Sequence, residues 1–121
     1  MRVASTGDVP GRSRNDGVVS HVLHTERDVP ETDLTVSWVD VEPGATQPVH
    51  DHDAEQAYVV VAGEGRMHVG DEKRPVSSGD LVHIPPGTDH GLENTGEEPL
   101  TYVSVATAEF PLEMFESYYE E

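Results

Sequence analysis

The residues of this sequence best suited to chemistry are two closely spaced histidines, His50 and His52, followed by Gln56 and, further along, His90. His50 and His52 lie among strand-forming residues. A β conformation would point both rings to one face, with α-carbons about 6.6 Å apart. At that separation both imidazoles can reach one ion through bonds of about 2.1 Å. A histidine pair alone is weak support for a metal site, because such pairs are common on exposed strand faces. Its interpretation therefore depends on the spacing of the surrounding residues.

The surrounding residues follow two spaced patterns, Gly44-x5-His50-x-His52-x3-Gln56-x6-Gly63 and Gly79-x5-Pro85-x-Gly87-x2-His90-x3-Asn94. These patterns resemble the two signature motifs of the cupin superfamily at nine of their ten specified positions. Chance agreement at so many fixed spacings is negligible for ordinary residue frequencies. The resemblance covers residues 34–107 and implies an all-β cupin jelly-roll barrel (double-stranded β-helix). It also implies one divalent transition metal ion (Fe, Mn, Ni, Zn or Cu), and the ligands it implies are His50, His52, Gln56 and His90.

Gln56 is the single departure from the family pattern, which has glutamate at this position. Glu55 stands directly before it, but strand side chains alternate, so only one of the two can share the ligand face. The spacing to His52 and Gly63 identifies Gln56 as the residue on the ligand face. With an amide as fourth ligand, the site would be neutral and more Lewis acidic, would bind metal less tightly, and would disfavour a ferric ion. The alternative is that three histidines hold the metal while Gln56 hydrogen-bonds a water or a substrate.

Tyr58 is the candidate catalytic residue, because it lies two positions past Gln56 and therefore shares its face. Its hydroxyl could donate a proton or a hydrogen bond near the metal. The alternative role for Tyr58 is that of a core aromatic. Trp38, Arg66 and Tyr102 are weaker candidates, since their strand phase is ambiguous.

The remaining histidines are expected to serve other roles. His68 and His83 alternate with apolar neighbours that suit the core, so both are predicted to face outward. His21 and His24 have opposite strand parity and cannot both face one site. Asn94 has the parity of the ligand face, yet an asparagine at a hairpin end is more often a turn residue.

The elements that must position these residues are short Val-rich runs broken by Gly, Pro and Asp. They cover residues 17–24, 34–42, 48–53, 56–62, 65–70, 80–84, 90–94 and 100–107, which is typical of an all-β sandwich or barrel. Four glycines at the ends of these runs are expected to turn the chain, often with positive φ: Gly44, Gly63, Gly79 and Gly87.

The expected domain organisation is a flexible lead-in over 1–16, a single cupin barrel over 17–109 and an acidic aromatic tail over 110–121. The tail has apolar residues at near-helical spacing, which suits either capping of its own barrel or packing against a second subunit.

The composition excludes several classes of partner and compartment. A length of 121 residues fits one domain, and seven basic against twenty-four acidic side chains give a net charge of −17. Such a surface repels nucleic acids and anionic membranes. Since about 1 M salt shortens the screening length to about 3 Å, the charge predicts a salt-rich cytosol; the alternative is an acidic protein from an ordinary cell. The absence of cysteine excludes disulfides and thiolate sites, and no apolar run has the length of a signal peptide or a membrane span, so a soluble, cytoplasmic protein is expected.

Two classes of function remain open. The resemblance implies a metal-dependent enzyme acting on a small polar molecule, of dioxygenase, isomerase or lyase type, in which the ion polarises a substrate oxygen or activates water or O₂. The alternative is a non-catalytic cupin that binds or senses a small ligand; a third and weaker possibility is a barrel without metal. Cupins resembling this chain often form homodimers, and the strand at 17–24 and the aromatic tail are the expected contacts.

Overall fold

The fold consists of two antiparallel β-sheets. The computed structural model describes residues 1–15, 17–50 and 53–107, with the backbone alone at 14–15 and 48–50. The strands in these ranges are β1 (Gly11–Asn15), β2 (Val18–His24), β3 (Leu34–Val41), β4 (Thr46–His50), β5 (Gln56–Ala62), β6 (Glu64–Val69), β7 (Glu72–Ser77), β8 (Leu81–Ile84), β9 (His90–Asn94) and β10 (Leu100–Thr107). These ranges contain one 3₁₀ turn, Thr6–Asp8. They contain no helix that is long and apolar enough to cross a membrane.

The order of strands within the sheets differs from their order along the chain. One sheet has the order β1-β2-β3-β10-β5-β8 and the other β4-β9-β6-β7. From β3 to β10 the chain changes sheet at every connection except the β6–β7 hairpin, so the two sheets face each other and share one interior. This is the all-β jelly-roll architecture that the sequence predicts.

The core lies between the two sheets and is built from alternating residues of each strand. Val39, Tyr58 and Tyr102 from the six-stranded sheet pack with Met67 and Leu92 from the four-stranded sheet, and each of these side chains is at most 3% exposed. The strand period of two therefore divides each strand into an inner and an outer face.

Asn94 fixes one end of this core. Its side chain is 2% exposed, and its Nδ2 donates to the carbonyl oxygens of Val41 at 2.9 Å and Glu98 at 2.8 Å. Its Oδ1 accepts the backbone N–H of Gly96 at 2.9 Å. Asn94 is thus a turn residue that braces the barrel, as its hairpin-end position predicts.

Two strands are not predicted by the sequence pattern, and both lie at sheet edges. β1 pairs with β2 inside the expected lead-in, so the expectation of a flexible segment over 1–16 is corrected at residues 11–15. β7 has only Val76 buried. Hydrophobic periodicity cannot reveal such strands, because backbone pairing rather than burial holds them in place. The predicted tail at 110–121 lies outside the described residues.

The glycine prediction is confirmed at all four positions, whose φ angles are 81°, 87°, 96° and 70° in chain order. Gly63 has a second constraint besides its backbone angle. A Cβ at this residue would lie 2.5 Å from the carbonyl oxygen of Pro99 and 2.8 Å from the Cα of Leu100. The turn from β5 to β6 can therefore pass the start of β10 only without a side chain.

Candidate metal centre

The strand register brings the predicted ligand positions to adjoining strand ends. His50, the last residue of β4, pairs directly with His90, the first residue of β9. In the facing sheet, Gln56 begins β5 and pairs with Ile84 of β8. The structure describes the side chains of Gln56 and His90; the side chain of His50 and the whole of His52 lie outside the described part of the chain.

His90 is held in one tautomer by the backbone. Its side chain is 1% exposed, and its Nδ1 lies 2.9 Å from the carbonyl oxygen of Thr88. Because a carbonyl can only accept a hydrogen bond, Nδ1 is assigned the proton. In the neutral form of the ring, the buried Nε2 carries the lone pair that a metal ligand needs.

Gln56 presents an amide oxygen to the interior. The side chain is 3% exposed, and its Nε2 donates to Ser104 Oγ at 3.3 Å. Its Oε1 is buried and has no hydrogen-bond partner among the described residues. Since a buried acceptor without a partner costs about 1–3 kcal/mol, this oxygen is suited to a cation or to a ligand that donates a hydrogen bond.

Glu55 lies on the opposite face of the same strand, as the alternation predicts. It is exposed, and its Oε2 lies 2.6 Å from the Nε2 of His83, which also faces outward. Glu55 therefore does not replace Gln56 as the inward-facing residue.

Tyr58 belongs to the core and also contacts His90. It is 2% exposed and stacks on Tyr102 with ring centroids 4.4 Å apart. Its ring meets the His90 ring edge to face at 5.9 Å, a geometry that favours aromatic contact. Tyr58 thus helps to hold the His90 ring in place. Of the weaker candidates, Tyr102 is buried inside, while Trp38 and Arg66 lie on outer faces.

Ser104 is a site residue that the sequence pattern does not identify. It lies in the inner row of β10, between Tyr102 and Ala106, and pairs with Tyr58 on one side and Ser37 on the other. Its neighbours Val103 and Val105 would be predicted to face the core, which would turn Ser104 to solvent. The two-residue spacing from Tyr102 locates Ser104 only once Tyr102 is known to be buried.

A cleft of about 410 Å³ opens between the edge strands β7 and β8. Its apolar floor is formed by Met67, Val69, Val76 and Val82, and its polar rim includes Glu72, Arg74, Asp80 and His83. The floor adjoins the site, because Val69 pairs with His90 and Val82 pairs with Tyr58. The volume falls in the range of small-molecule pockets.

The possible metal-ligand atoms of the described residues suit a divalent metal ion. An imidazole nitrogen from His90 and an amide oxygen from Gln56 are both neutral donors that such ions accept. Among the residues with described side chains, no three His, Cys, Asp or Glu groups are placed to hold a metal. Two of the four predicted ligands fall outside that set, so the fit rests on Gln56 and His90.

Known proteins resemble this chain in sequence and in fold. An uncharacterized protein of Methanocaldococcus jannaschii is 40% identical over 58 residues, 47% of this chain and 46% of that protein. The oxalate-binding protein of Thermotoga maritima is 33% identical over 64 residues, 52% of this chain and 53% of that protein. The matches thus span about half the length of these curated relatives.

A solved structure and a family model extend this comparison. The polyketide cyclase RemF from Streptomyces resistomycificus superposes with a TM-score of 0.79 over 92% of this chain and 82% of that chain, at 22% identity. This likeness shows the fold alone. The model of the cupin domain family matches residues 37–106, more than half of the sequence. The chain therefore belongs to the cupin domain family.

Proposed function

We propose that this chain is a metal-dependent cupin enzyme that acts on a small polar molecule. The observation that carries the proposal is the buried Oε1 of Gln56, which has no hydrogen-bond partner among the described residues. The side chain lies on the inner face of β5 together with Tyr58, which contacts His90. A purely structural glutamine would be expected to have its oxygen satisfied.

In this proposal His50, His52, Gln56 and His90 hold one divalent transition metal ion. A bound ion of this kind supplies Lewis-acid polarisation of a substrate oxygen. Because all four ligands are neutral, the charge of the ion is not compensated by the protein, and an anionic or oxygen-rich ligand is favoured.

The other residues orient the site and admit the ligand. Thr88 O fixes the tautomer of His90, and Ser104 Oγ fixes the amide of Gln56. Tyr58 packs against the His90 ring, is itself stacked on Tyr102, and excludes water from that side of the ring. The cleft between β7 and β8 would receive a small molecule beside the site, because its lining residues Val69 and Val82 pair with His90 and Tyr58.

A second candidate function is non-catalytic binding or sensing of a small ligand. The buried polar side chains of the described residues include His90 but no Asp, Glu, Lys or Arg, so the described interior offers few acid–base groups. A relative named an oxalate-binding protein also supports this candidate.

The metal proposal is tested by elemental analysis of protein purified in concentrated KCl without chelator. We expect stoichiometric metal in the native chain and loss of most of it in His90→Ala. Gln56→Glu should bind metal at least tenfold more tightly, because the carboxylate adds charge attraction in a buried site. The matched control is Glu55→Gln, which changes the neighbouring, outward-facing residue and should leave affinity unchanged.

Each variant in this experiment tests a different part of the proposal. Unchanged metal content in His90→Ala would contradict the metal site. Unchanged affinity in Gln56→Glu would show that Gln56 is not a ligand. A subsequent screen of small organic acids and sugars, by thermal shift with and without metal, distinguishes the two functions: consumption of a stabilising compound supports the enzyme, and binding without turnover supports the sensor.

A further inference from the structure

The cleft between β7 and β8 contains a charged pair on the inner side of an edge strand. Glu72 and Arg74 both line the cleft, and both have the strand parity of the buried Val76. Among the described side chains of β3 to β10, Arg74 is the one lysine or arginine with this inward parity. The inner positions of sheet strands are ordinarily apolar, so a cation at this position indicates a role other than packing.

The pair shows how Arg74 can hold a carboxylate. Its guanidinium donates to Glu72 Oε2 at 2.8 Å, and the two side chains are 77% and 69% exposed. An ion pair this exposed is weak, because water competes for both groups. A guanidinium also binds a carboxylate through two parallel hydrogen bonds when the geometry allows. The carboxylate of a ligand can therefore take the place of Glu72 at little cost.

The other polar groups of the cleft rim have partners of their own. Asp80 Oδ2 accepts the backbone N–H of Ser77 at 2.8 Å, and His83 Nε2 lies 2.6 Å from Glu55 Oε2. The floor of the cleft is apolar. Arg74 is thus the rim group best placed to recognise an anion, and the floor beside it can hold only the apolar part of a ligand.

The charge around the cleft also suits an anion better than the rest of the molecule does. Residues 64–77, which form the β6–β7 hairpin, contain three of the seven basic residues and three acidic ones. The hairpin is therefore neutral overall, and the net charge of −17 lies on the rest of the chain. An anion approaching this end of the barrel meets less repulsion than it meets elsewhere.

The strand register sets the distance from Arg74 to the candidate metal centre. Glu72, Val69 and His90 lie in one row across β7, β6 and β9, and Arg74 is the next inward-facing residue after Glu72. With strands about 4.8 Å apart and inward positions about 6.6 Å apart, the α-carbons of Arg74 and His90 are separated by about 12 Å. A short molecule bound at Arg74 can therefore extend toward His90.

We propose that the cleft binds a short monocarboxylic acid with an apolar body. Its carboxylate pairs with Arg74 in place of Glu72, its body lies on the apolar floor, and its far end points toward His90. This inference rests on the proposed function, because it assigns a substrate class to the same site. Arg74 is then the residue that selects acids over neutral molecules of the same shape.

Isothermal titration calorimetry at one fixed KCl concentration tests the proposal with hexanoate, hexanamide and acetate as probes. Hexanoate should bind about tenfold more tightly than hexanamide, which has the same body without the charge. It should also bind about tenfold more tightly than acetate, which lacks the apolar body.

Two variants of the pair should change hexanoate affinity in opposite directions. Arg74→Gln should weaken hexanoate binding about tenfold and leave hexanamide binding unchanged. Glu72→Gln should strengthen hexanoate binding about threefold, because the competing carboxylate is removed. The matched control is Lys73→Gln, which removes a positive charge from the adjacent, outward-facing residue and should bind like the native chain. Circular dichroism verifies that each variant is folded.

Methyl NMR signals provide a second readout that locates the ligand. The signals of Met67 and Val82, which line the cleft, should shift when hexanoate is added. Those of Val61, which is 41% exposed on the outer side of β5, should not. Shifts at Val61 without shifts at Met67 and Val82 would contradict binding in the cleft.

The titrations are run on the native chain as purified and after removal of metal by a chelator, which separates this inference from the proposed function. Dependence on Arg74 in both forms supports the cleft site. Equal hexanoate affinity in Arg74→Gln and Lys73→Gln overturns it, as does hexanamide binding as tight as that of hexanoate. Loss of hexanoate binding with the metal, without an effect of Arg74→Gln, would assign the carboxylate to the metal and contradict this inference alone. Unchanged metal content in His90→Ala would instead contradict the proposed function and leave the cleft site standing.

Discussion

Gln56 depends on one hydroxyl for the orientation of its amide. Ser104 Oγ accepts from Gln56 Nε2 at 3.3 Å, which leaves Oε1 as the oxygen turned to the site. Motif spacing predicts that Gln56 faces inward, because a strand has a period of two. It cannot predict Ser104, which comes from a distant strand whose flanking valines suggest the opposite phase.

Replacement of Ser104 by alanine should weaken metal binding. Without the acceptor, the Gln56 amide can rotate, and loss of such a supporting hydrogen bond reduces metal affinity by about tenfold. The buried amide N–H left without a partner should also lower the free energy of unfolding by about 1 kcal/mol. Competition with a calibrated chelator measures the affinity, and urea unfolding measures the stability.

The conservative variant separates orientation from packing. Ser104→Thr keeps the hydroxyl and should retain most of the metal affinity even if the added methyl group lowers stability. Equal affinity in Ser104→Ala and the native chain would show that this hydrogen bond does not position the Gln56 amide.

The strands that hold the site differ in how well the sequence pattern predicts them. The runs around 56–62, 90–94 and 100–107 coincide with β5, β9 and β10, because each run begins or ends at a Gly, Pro or Asn turn. β7 reads Glu-Lys-Arg-Pro-Val-Ser, and its charges and proline suit a sheet edge, where a strand needs no continuous apolar face. The cleft beside the site is lined partly by this strand, so it could not be predicted from the motifs.

Two glycines at strand ends should respond differently to the same substitution. Gly44 and Gly63 both have positive φ, at 81° and 87°, so alanine at either should cost about 1 kcal/mol for its backbone conformation. At Gly44 a Cβ meets nothing within 4 Å, whereas at Gly63 it would lie 2.5 Å from the carbonyl oxygen of Pro99. Gly63→Ala should therefore destabilise by about 3 kcal/mol or more in total.

Urea unfolding of both glycine variants at one fixed KCl concentration makes the comparison. The difference between their free energies of unfolding isolates the contact with Pro99, since the backbone strain is common to both. Equal losses in the two variants would contradict the close approach of β10 to this turn.

The molecule as a whole carries a large negative charge on a β-barrel. A net charge of −17 predicts self-repulsion that acts on folding as well as on association. The sequence alone predicts the size of this charge and the barrel that carries it. It does not predict that Val103, Val105 and Trp38 lie on the outer side of the six-stranded sheet, because they can be assigned to that side only when the register to Tyr58 and Tyr102 is known.

Salt should therefore stabilise the folded chain by screening. Raising KCl from about 0.01 M to 1 M shortens the screening length from about 30 Å to about 3 Å. We expect a gain of about 2 kcal/mol in the free energy of unfolding and a rise in Tm of roughly 8 °C. The comparison requires a protein concentration at which sedimentation velocity shows monomer only, since any association would add its own stabilisation. Under those conditions, four exposed acids can be replaced together by glutamine: Glu26, Glu42, Glu64 and Glu97. If repulsion causes the salt effect, the glutamine variant should have a higher Tm than the native chain at low salt, and KCl should raise its Tm less. An equal gain in both chains would instead assign the effect to strengthened apolar burial.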